Sequence, residues 1–312
     1  MWNRIQTNVS FLNVIDRKIA ELHAHNDSYL PSFADAPRIV VGSDYSGEHA
    51  AAKYLGFTFV ILPQSSWRAW NVSRLYIRAT RNIQERHMAY SSLNDAFRRD
   101  ALHEFLTALL LQKGMVITIV VNKQLRSIFQ SSGQIDAGVW GVEHCGDWRP
   151  PEIEKMLRVV HAAAFFIAGV ASAGQDVQWI TDHDAIAANE ARFQDMAAVF
   201  KAVLDQYLTV KLGSVRCSTS LESPLEVEDF VAIPDLIGGA MVDLFTAHRR
   251  RTDVFSEEMP TPRPEDLSWK TRTIIDWLAR RGALRRLIYK FEPGPEAETL
   301  EIADMNLAMP LP

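Results

Sequence analysis

The 312-residue sequence contains only two cysteines, Cys145 and Cys217, and they are far apart. So few cysteines do not suggest a disulfide scaffold and favour a reducing compartment, which we take to be the cytoplasm. The N-terminus lacks the basic segment and apolar core of a signal peptide. The most apolar run, residues 159–173, is interrupted by His161 and is shorter than the roughly 20 residues that span a bilayer. We therefore expect no membrane partner.

Several motifs are also absent. There is no P-loop and no G-x-G-x-x-G sequence, so a nucleotide cofactor is not implied. Glu143, His144 and Cys145 have no partners at zinc-ligand spacing. The net charge of -5 argues against a strongly basic polynucleotide coat, although locally clustered arginines can still bind nucleic acid.

What the sequence does contain is organised around residues 37–49. Residues 38–41 form a β-branched run that predicts a buried strand. Asp44 follows where this strand runs out of the sheet, and Ser46 and Gly47 then turn the chain. An acid in this position is costly to bury without a partner, so Asp44 is a candidate functional residue.

Hydrophobic periodicity predicts further strands at 54–62, 73–79, 115–121 and 176–180, with a short additional strand at 214–219. It predicts helices at 86–112, 152–171, 191–208 and 228–247. The strand at 73–79 depends on the alternation of Leu75 and Ile77 with polar neighbours, and it would complete an antiparallel meander. The order predicts an α/β fold, a mixed five-stranded sheet with helices on both faces.

The composition divides the chain into three parts. Residues 1–36 form an N-terminal extension with a helix at 8–24, and residues 37–250 form the main domain. Three closely spaced prolines then mark a linker. Residues 251–312 contain this linker and a small C-terminal α+β appendage, with a helix at 268–281 and strands at 287–292 and 299–302.

Further acids lie in positions similar to that of Asp44. Asp182 and Asp184 follow the strand at 176–180, and Asp235 lies on the helix at 228–247. Asp235 shares a helical strip with two adjacent glycines, each of which costs about 1 kcal/mol in a helix. Such glycines indicate close approach of another backbone, so we expect Asp235 to be enclosed.

Three separated acids at one end of a sheet form a site of oxygen ligands, which suits Mg²⁺ or Mn²⁺ rather than zinc. We predict that Asp44, Asp182 and Asp235 hold this metal. Each acid also has a structural interpretation: Asp44 can cap a turn, and Asp182 or Asp184 can cap a helix. Asp184 is a reserve ligand, and Glu48 is either a fourth ligand or an exposed turn acid.

At these residues the chain resembles a known group. Residues 44–47, DYSG, resemble the D-x-S-G opening of a bacterial RNase H-like family catalogued as domain of unknown function thirty-eight hundred. Residues 233–237, IPDLI, are similar to the closing Ala-Asp-Leu-Ile motif of that family. Pro234 and Tyr45 depart from the pattern, which usually has Ala and Glu at these places.

The resemblance implies an RNase H-like catalytic domain over residues 37–250 with a metal-dependent phosphodiesterase site. It implies Asp44, Asp182 and Asp235 as the catalytic metal ligands, nucleic acid as the substrate and a bacterial defence or mobile-element setting. RNA and DNA are both open as substrates.

Four arginines on or near the predicted strand at 73–79 are candidates for phosphate contacts: Arg74, Arg78, Arg81 and Arg86. A solvated strand face explains them about as well. His183 lies between the two aspartates and is either a proton shuttle or an ordinary loop histidine.

Two rival functions are open. The first is an inactive interaction module, since Tyr45 removes one acid of the family motif; its partner surfaces would be the loop at 122–151 and the C-terminal appendage. The second is another Mg²⁺ enzyme, a phosphatase or sugar transferase, using Asp182 and Asp184 as a D-x-D motif.

Overall fold

The structure is a computed structural model that describes residues 2–26, 29–125, 127–129, 148–221, 223–249, 263–294 and 300–304. Its helices are α1 (Ser10–His25), α2 (Gln64–Thr80), α3 (Ala96–Leu110), α4 (Pro150–Val170), α5 (Glu190–Tyr207), α6 (Leu225–Arg249) and α7 (Trp269–Leu278). Its strands are β1 (Arg38–Ser46), β2 (Tyr54–Pro63), β3 (Gly114–Asn122), β4 (Asp176–Thr181), β5 (Val215–Thr219), β6 (Leu284–Pro293) and β7 (Leu300–Asp304).

All seven of these strands belong to one mixed sheet in the order β5-β4-β1-β2-β3-β6-β7. The pairs β1–β2, β2–β3 and β6–β7 are antiparallel, whereas β1–β4, β4–β5 and β3–β6 are parallel. Every residue of β3 is buried, as expected for a nearly continuous apolar strand covered on both faces. The predicted mixed α/β architecture is confirmed.

The sheet separates two hydrophobic cores. Helices α1, α4 and α5 cover one face, and helices α2, α3, α6 and α7 cover the other. Because side chains alternate along a strand, Ile39 and Val41 of β1 enter the first core and Val40 enters the second. Asp44 and Val40 are both even-numbered residues of β1, so their side chains lie on the same face of the sheet, the face that α6 covers.

The predicted strand at 73–79 is wrong. These residues belong to α2, whose buried face consists of Ser66, Trp70, Arg74, Ile77 and Arg78 at helical spacing. The third strand of the meander is therefore β3, which pairs with β2. The predicted helix at 86–112 is also too long, since α3 begins only at Ala96.

The sheet has seven described strands rather than five, and this corrects the prediction of a small appendage built on its own strands. β6 pairs with β3 over eight residues, so it extends the central sheet. Trp2 and several residues of α1 likewise enter the first core. The domain divisions at residues 36 and 250 remain predictions, and most of the loop at 122–151, with Cys145, lies outside the described residues.

Within the described ranges, α6 is long and apolar enough to cross a membrane by length and composition. However, 83% of its most apolar window is buried inside the protein. The apolar composition of α6 thus reflects its position in the second core.

Candidate active site

The three predicted aspartates lie in one cavity of about 400 Å³. Asp44 is on β1, Asp182 directly follows β4, and Asp235 is on α6. β1 and β4 are parallel, and the Asp182 amide donates a hydrogen bond of 3.0 Å to the Ser43 carbonyl. Asp44, which is still paired with Thr58 of β2, and Asp182 therefore lie side by side, and α6 supplies Asp235.

Glycines allow α6 to lie this close to the sheet. A Cβ atom on Gly238 would be 2.9 Å from the hydroxyl oxygens of both Ser46 and Thr58, on β1 and β2. A Cβ on Gly239 would be 2.5 Å from the Tyr90 ring. This strip of α6 is therefore closely packed, as the sequence predicted, but against side chains rather than against another backbone.

Each aspartate has a neighbour that orients it. The Ser220 hydroxyl donates to Asp182 Oδ1 at 2.8 Å, and the Tyr90 amide donates to Asp235 Oδ2 at 2.6 Å. The Ser46 hydroxyl lies 3.5 Å from Asp44 Oδ2, which is a long and weak contact. Asp44 therefore has the weakest hydrogen bonding of the three carboxylates. It is nevertheless buried, with only 7% of its surface exposed.

The electrostatics of the cavity disfavour these negative charges. Burial, then the charges of Asp235 and Asp182, raise the pKa of Asp44 well above its ordinary value. Burial also raises the pKa of Asp235 to about 6, with a further contribution from Asp182 and an opposing one from the Tyr90 amide. A cation in the cavity would relieve this cost.

The donor chemistry fits a hard divalent cation, because the three acids supply oxygen ligands only. In the part of the chain that the structure describes, no group of three or more His, Cys, Asp or Glu side chains has the spacing of a metal site. Carboxylates that repel one another without a cation between them are expected to lie further apart than in a loaded site. Metal binding by these residues stays a prediction.

Asp184 and Glu48 occupy a different position. Both bind the Lys155 ammonium of α4, which lies 2.5 Å from Glu48 Oε1 and also contacts Asp184 Oδ2. Asp184 Oδ1 in addition accepts the Ile186 amide at 3.0 Å, which is a local turn contact. Neither acid lines the cavity of the three aspartates, so the structural interpretation of both is favoured.

Tyr45 lies on the opposite face of β1 from Asp44. Its hydroxyl is 2.9 Å from Ser43 Oγ and 2.7 Å from Thr181 Oγ1. Its ring lies 5.2 Å from the Lys155 ammonium and lines a second cavity, of about 580 Å³. A glutamate at position 45 would therefore face this second cavity rather than Asp44.

Two of the four candidate arginines are buried in the core. Arg74 and Arg78 both bind the fully buried Asp229 of α6, with contacts of 2.7 Å and 2.5 Å. Their guanidinium groups hold α2 against α6, so we withdraw them as phosphate contacts. Arg81 is exposed and pairs with Glu104.

Arg86 lies in the segment between α2 and α3. It is partly exposed, and its guanidinium lies 4.4 Å from the centre of the Phe97 ring. Neither Arg81 nor Arg86 lines the aspartate cavity, so their phosphate contacts remain a prediction.

The sequence did not reveal several residues of this cavity. Ser220 could have been found, because polar residues follow the short predicted strand at 214–219 beside Asp182. His87 and Glu228 also line the cavity and contact each other, but no sequence pattern marked them. His183 lines the cavity as well, and its Nδ1 atom has no hydrogen-bond partner among the described residues.

No protein-family model matches the chain, and no curated protein matches it. Among solved structures, it is similar to the crystal structure of the ribonuclease H2 from Pyrococcus horikoshii OT3. The identity is 12%, the match covers 77% of this chain and 85% of that chain, and the TM-score is 0.34. A similarity this low carries no argument about the site, and the likeness to the family named above still depends on two short motifs.

Proposed function

We propose that the chain is a nuclease of RNase H-like type that hydrolyses phosphodiester bonds with Mg²⁺ or Mn²⁺. The observation that carries the proposal is that Asp44, Asp182 and Asp235, from three different elements, line one cavity of about 400 Å³. A purely structural role for these acids does not explain why they meet where the charge of Asp182 raises the pKa of both Asp44 and Asp235. A role in bacterial defence rests on the motif resemblance alone.

The three aspartates would hold the metal, which when bound supplies a Lewis acid and an activated water for displacement at phosphorus. Ser220 and the Tyr90 amide fix the carboxylates of Asp182 and Asp235 before any ligand arrives. His183 lines the same cavity and is proposed to exchange a proton there. Arg81 and Arg86 are proposed to contact substrate phosphates.

The geometry weakens both rivals. The inactive module drew its support from the missing acid at Tyr45, but that side chain lies on the other face of the sheet. The D-x-D enzyme needs Asp182 and Asp184 to act together, whereas Asp184 is bound by Lys155 outside the cavity.

The test is a cleavage assay on single- and double-stranded RNA, DNA and RNA–DNA hybrids, with Mg²⁺, Mn²⁺ or EDTA. We expect metal-dependent cleavage that falls at least 100-fold in Asp44→Asn, Asp182→Asn and Asp235→Asn, on the order of the loss of one major transition-state contact. Asp205→Asn, an exposed position on α5, is the matched control and should cleave normally.

Two outcomes would contradict the proposal. If no substrate of the panel is cleaved, the chain is not a nuclease and the interaction module takes its place. If Asp184→Asn abolishes activity and Asp44→Asn does not, the D-x-D rival is correct.

A further inference from the structure

Four basic side chains surround a cavity of about 650 Å³ at the start of β3 and β6: Lys113, Arg281, Arg285 and Arg286. None of the described residues that line this cavity is acidic. Such a concentration of positive charge is unexpected in a chain whose net charge is -5. It is separate from the aspartate cavity, with which it shares no lining residue. We call these four residues the basic cluster.

Elsewhere in the described structure, buried cations have carboxylate partners. Arg78 binds Asp229, and Lys155 binds Asp184. Arg286, which is partly buried, has no ion pair within the described ranges, and neither have the exposed Lys113 and Arg281. Arg286 is more than half-buried, and burial followed by the charge of Arg285 lowers its pKa. Like charges held close together are costly, and a bound anion would offset that cost.

Neutral contacts fix two of these arginines. The Arg285 guanidinium lies 4.4 Å from the centre of the Tyr29 ring, in a cation–π arrangement. Arg286 donates through Nη1 to the Arg280 carbonyl. Guanidinium groups held in this way lose little freedom when their remaining N–H groups bind phosphate oxygens.

The two arginines also lie on both sides of β6. Leu287 enters the first core and Ile288 the second, so Arg285 lies on the α1 face and Arg286 on the α7 face. Lys113 lies just before β3, so the charges are spread over the starts of two paired strands and both faces of β6. Charges spread in this way fit a chain of phosphates better than they fit one small anion.

We propose that the basic cluster binds the phosphate backbone of a nucleic acid, outside the aspartate cavity. The choice of nucleic acid rests on the proposed nuclease function, but the cluster itself does not. Phosphate contacts of this kind position a polynucleotide without reading its sequence.

The strand register gives the distance from Asp44 to Arg286, the residue of the basic cluster that lies furthest along β6. Asp44 is level with Thr58, Thr118 and Ile288 on the successive strands to β6, two residues beyond Arg286. Three strand spacings and two residues separate Asp44 from Arg286 by about 16 Å. At about 3.4 Å per nucleotide, a strand that contacts both sites needs at least about five nucleotides.

The test compares two double variants with the same change in net charge. Lys113→Glu/Arg281→Glu alters exposed residues of the basic cluster, and Lys201→Glu/Arg216→Glu alters exposed residues on α5 and β5. Binding of labelled 20-mers, single-stranded RNA and duplex DNA, is measured in EDTA over a range of salt concentrations. In the cluster variant we expect at least one 20-mer to bind at least 10-fold more weakly. The slope of log affinity against log salt concentration should be smaller in magnitude by about two. In the control variant we expect binding to weaken less than 2-fold.

Equal weakening by both variants, or no weakening by either, would overturn the proposal. A second result would also overturn it. If tripolyphosphate binds the wild type as tightly as the better 20-mer does, and loses affinity to the same extent in the cluster variant, the ligand is a small phosphate compound. The outcome is distinct from that of the nuclease assay. If binding is lost in the cluster variant but the wild type cleaves nothing, the basic cluster is supported and the nuclease proposal is contradicted. If the wild type cleaves but binding is unchanged in the cluster variant, the nuclease proposal is supported and the basic cluster is contradicted.

Discussion

Asp44 and Tyr45 are neighbours on β1, yet their side chains lie on opposite faces of the sheet. Asp44 lines the cavity beneath α6, whereas the Tyr45 hydroxyl is 2.7 Å from Thr181 Oγ1 and its ring lines the cavity beside α4. The strand alternation that separates them means that tyrosine in place of the usual glutamate takes no ligand from the aspartate cavity. The two faces of β1 have separate roles.

This relationship predicts the behaviour of variants at position 45. Tyr45→Phe loses two hydroxyl contacts, so we expect urea denaturation to show a loss of about 1–2 kcal/mol of stability. Cleavage and Mn²⁺ affinity should stay as in the wild type. Tyr45→Glu is the informative companion: if it tightens Mn²⁺ binding, position 45 faces the metal and the assignment of the faces is wrong.

The buried arginine cluster gives a prediction about stability. Asp229 is fully buried and binds both Arg74 and Arg78. Asp229→Asn leaves two buried guanidinium groups without their counterion, which is expected to cost about 3–5 kcal/mol. Glu104→Gln, which breaks the exposed pair with Arg81, is the matched control and should leave the urea midpoint nearly unchanged. Similar effects from the two variants would contradict the structural role of Asp229.

The pKa of Asp235 predicts how the stability of the metal-free protein depends on pH. Burial raises this pKa from the ordinary 3.8 to about 6, so the folded protein holds a proton that the unfolded chain releases. The contribution of Asp235 to stability is therefore complete below pH 3.8 and is lost as the pH rises through about 6. Asp44 acts in the same direction.

Thermal melts in EDTA from pH 4.5 to pH 7.5 measure this effect. The wild type should lose more stability than Asp235→Asn across this range, because the asparagine does not titrate. A difference between the two proteins that stays constant with pH would show that Asp235 is not buried with other negative charges.

The sequence predicted the three aspartates because each carries a local signal. Asp44 and Asp182 follow apolar strands, and two glycines mark the strip of Asp235. The close contacts at Gly238 and Gly239 confirm that this strip is enclosed, although side chains rather than another backbone approach it. Strand ends and helix faces are local properties, so one sequence is enough to find them.

The errors arose where a distant partner decides the structure. The alternation of Arg74 and Arg78 with Leu75 and Ile77 predicts a half-exposed strand, whereas both arginines are buried. Their partner Asp229 lies about 150 residues further along the chain, and no local pattern connects the two. β6 shows the same dependence on a distant partner. The sequence predicts a strand there, but no local pattern predicts its pairing with β3.

The most direct test of the central claim is a crystal structure of the protein soaked in Mn²⁺, with anomalous scattering used to locate the metal. We expect an anomalous peak in the aspartate cavity, with oxygen atoms of Asp44, Asp182 and Asp235 at bonding distance from the metal. We expect no peak between Glu48 and Asp184, where Lys155 already supplies the positive charge. A well-ordered cavity without metal, or a peak only at the Lys155 acids, would contradict the account.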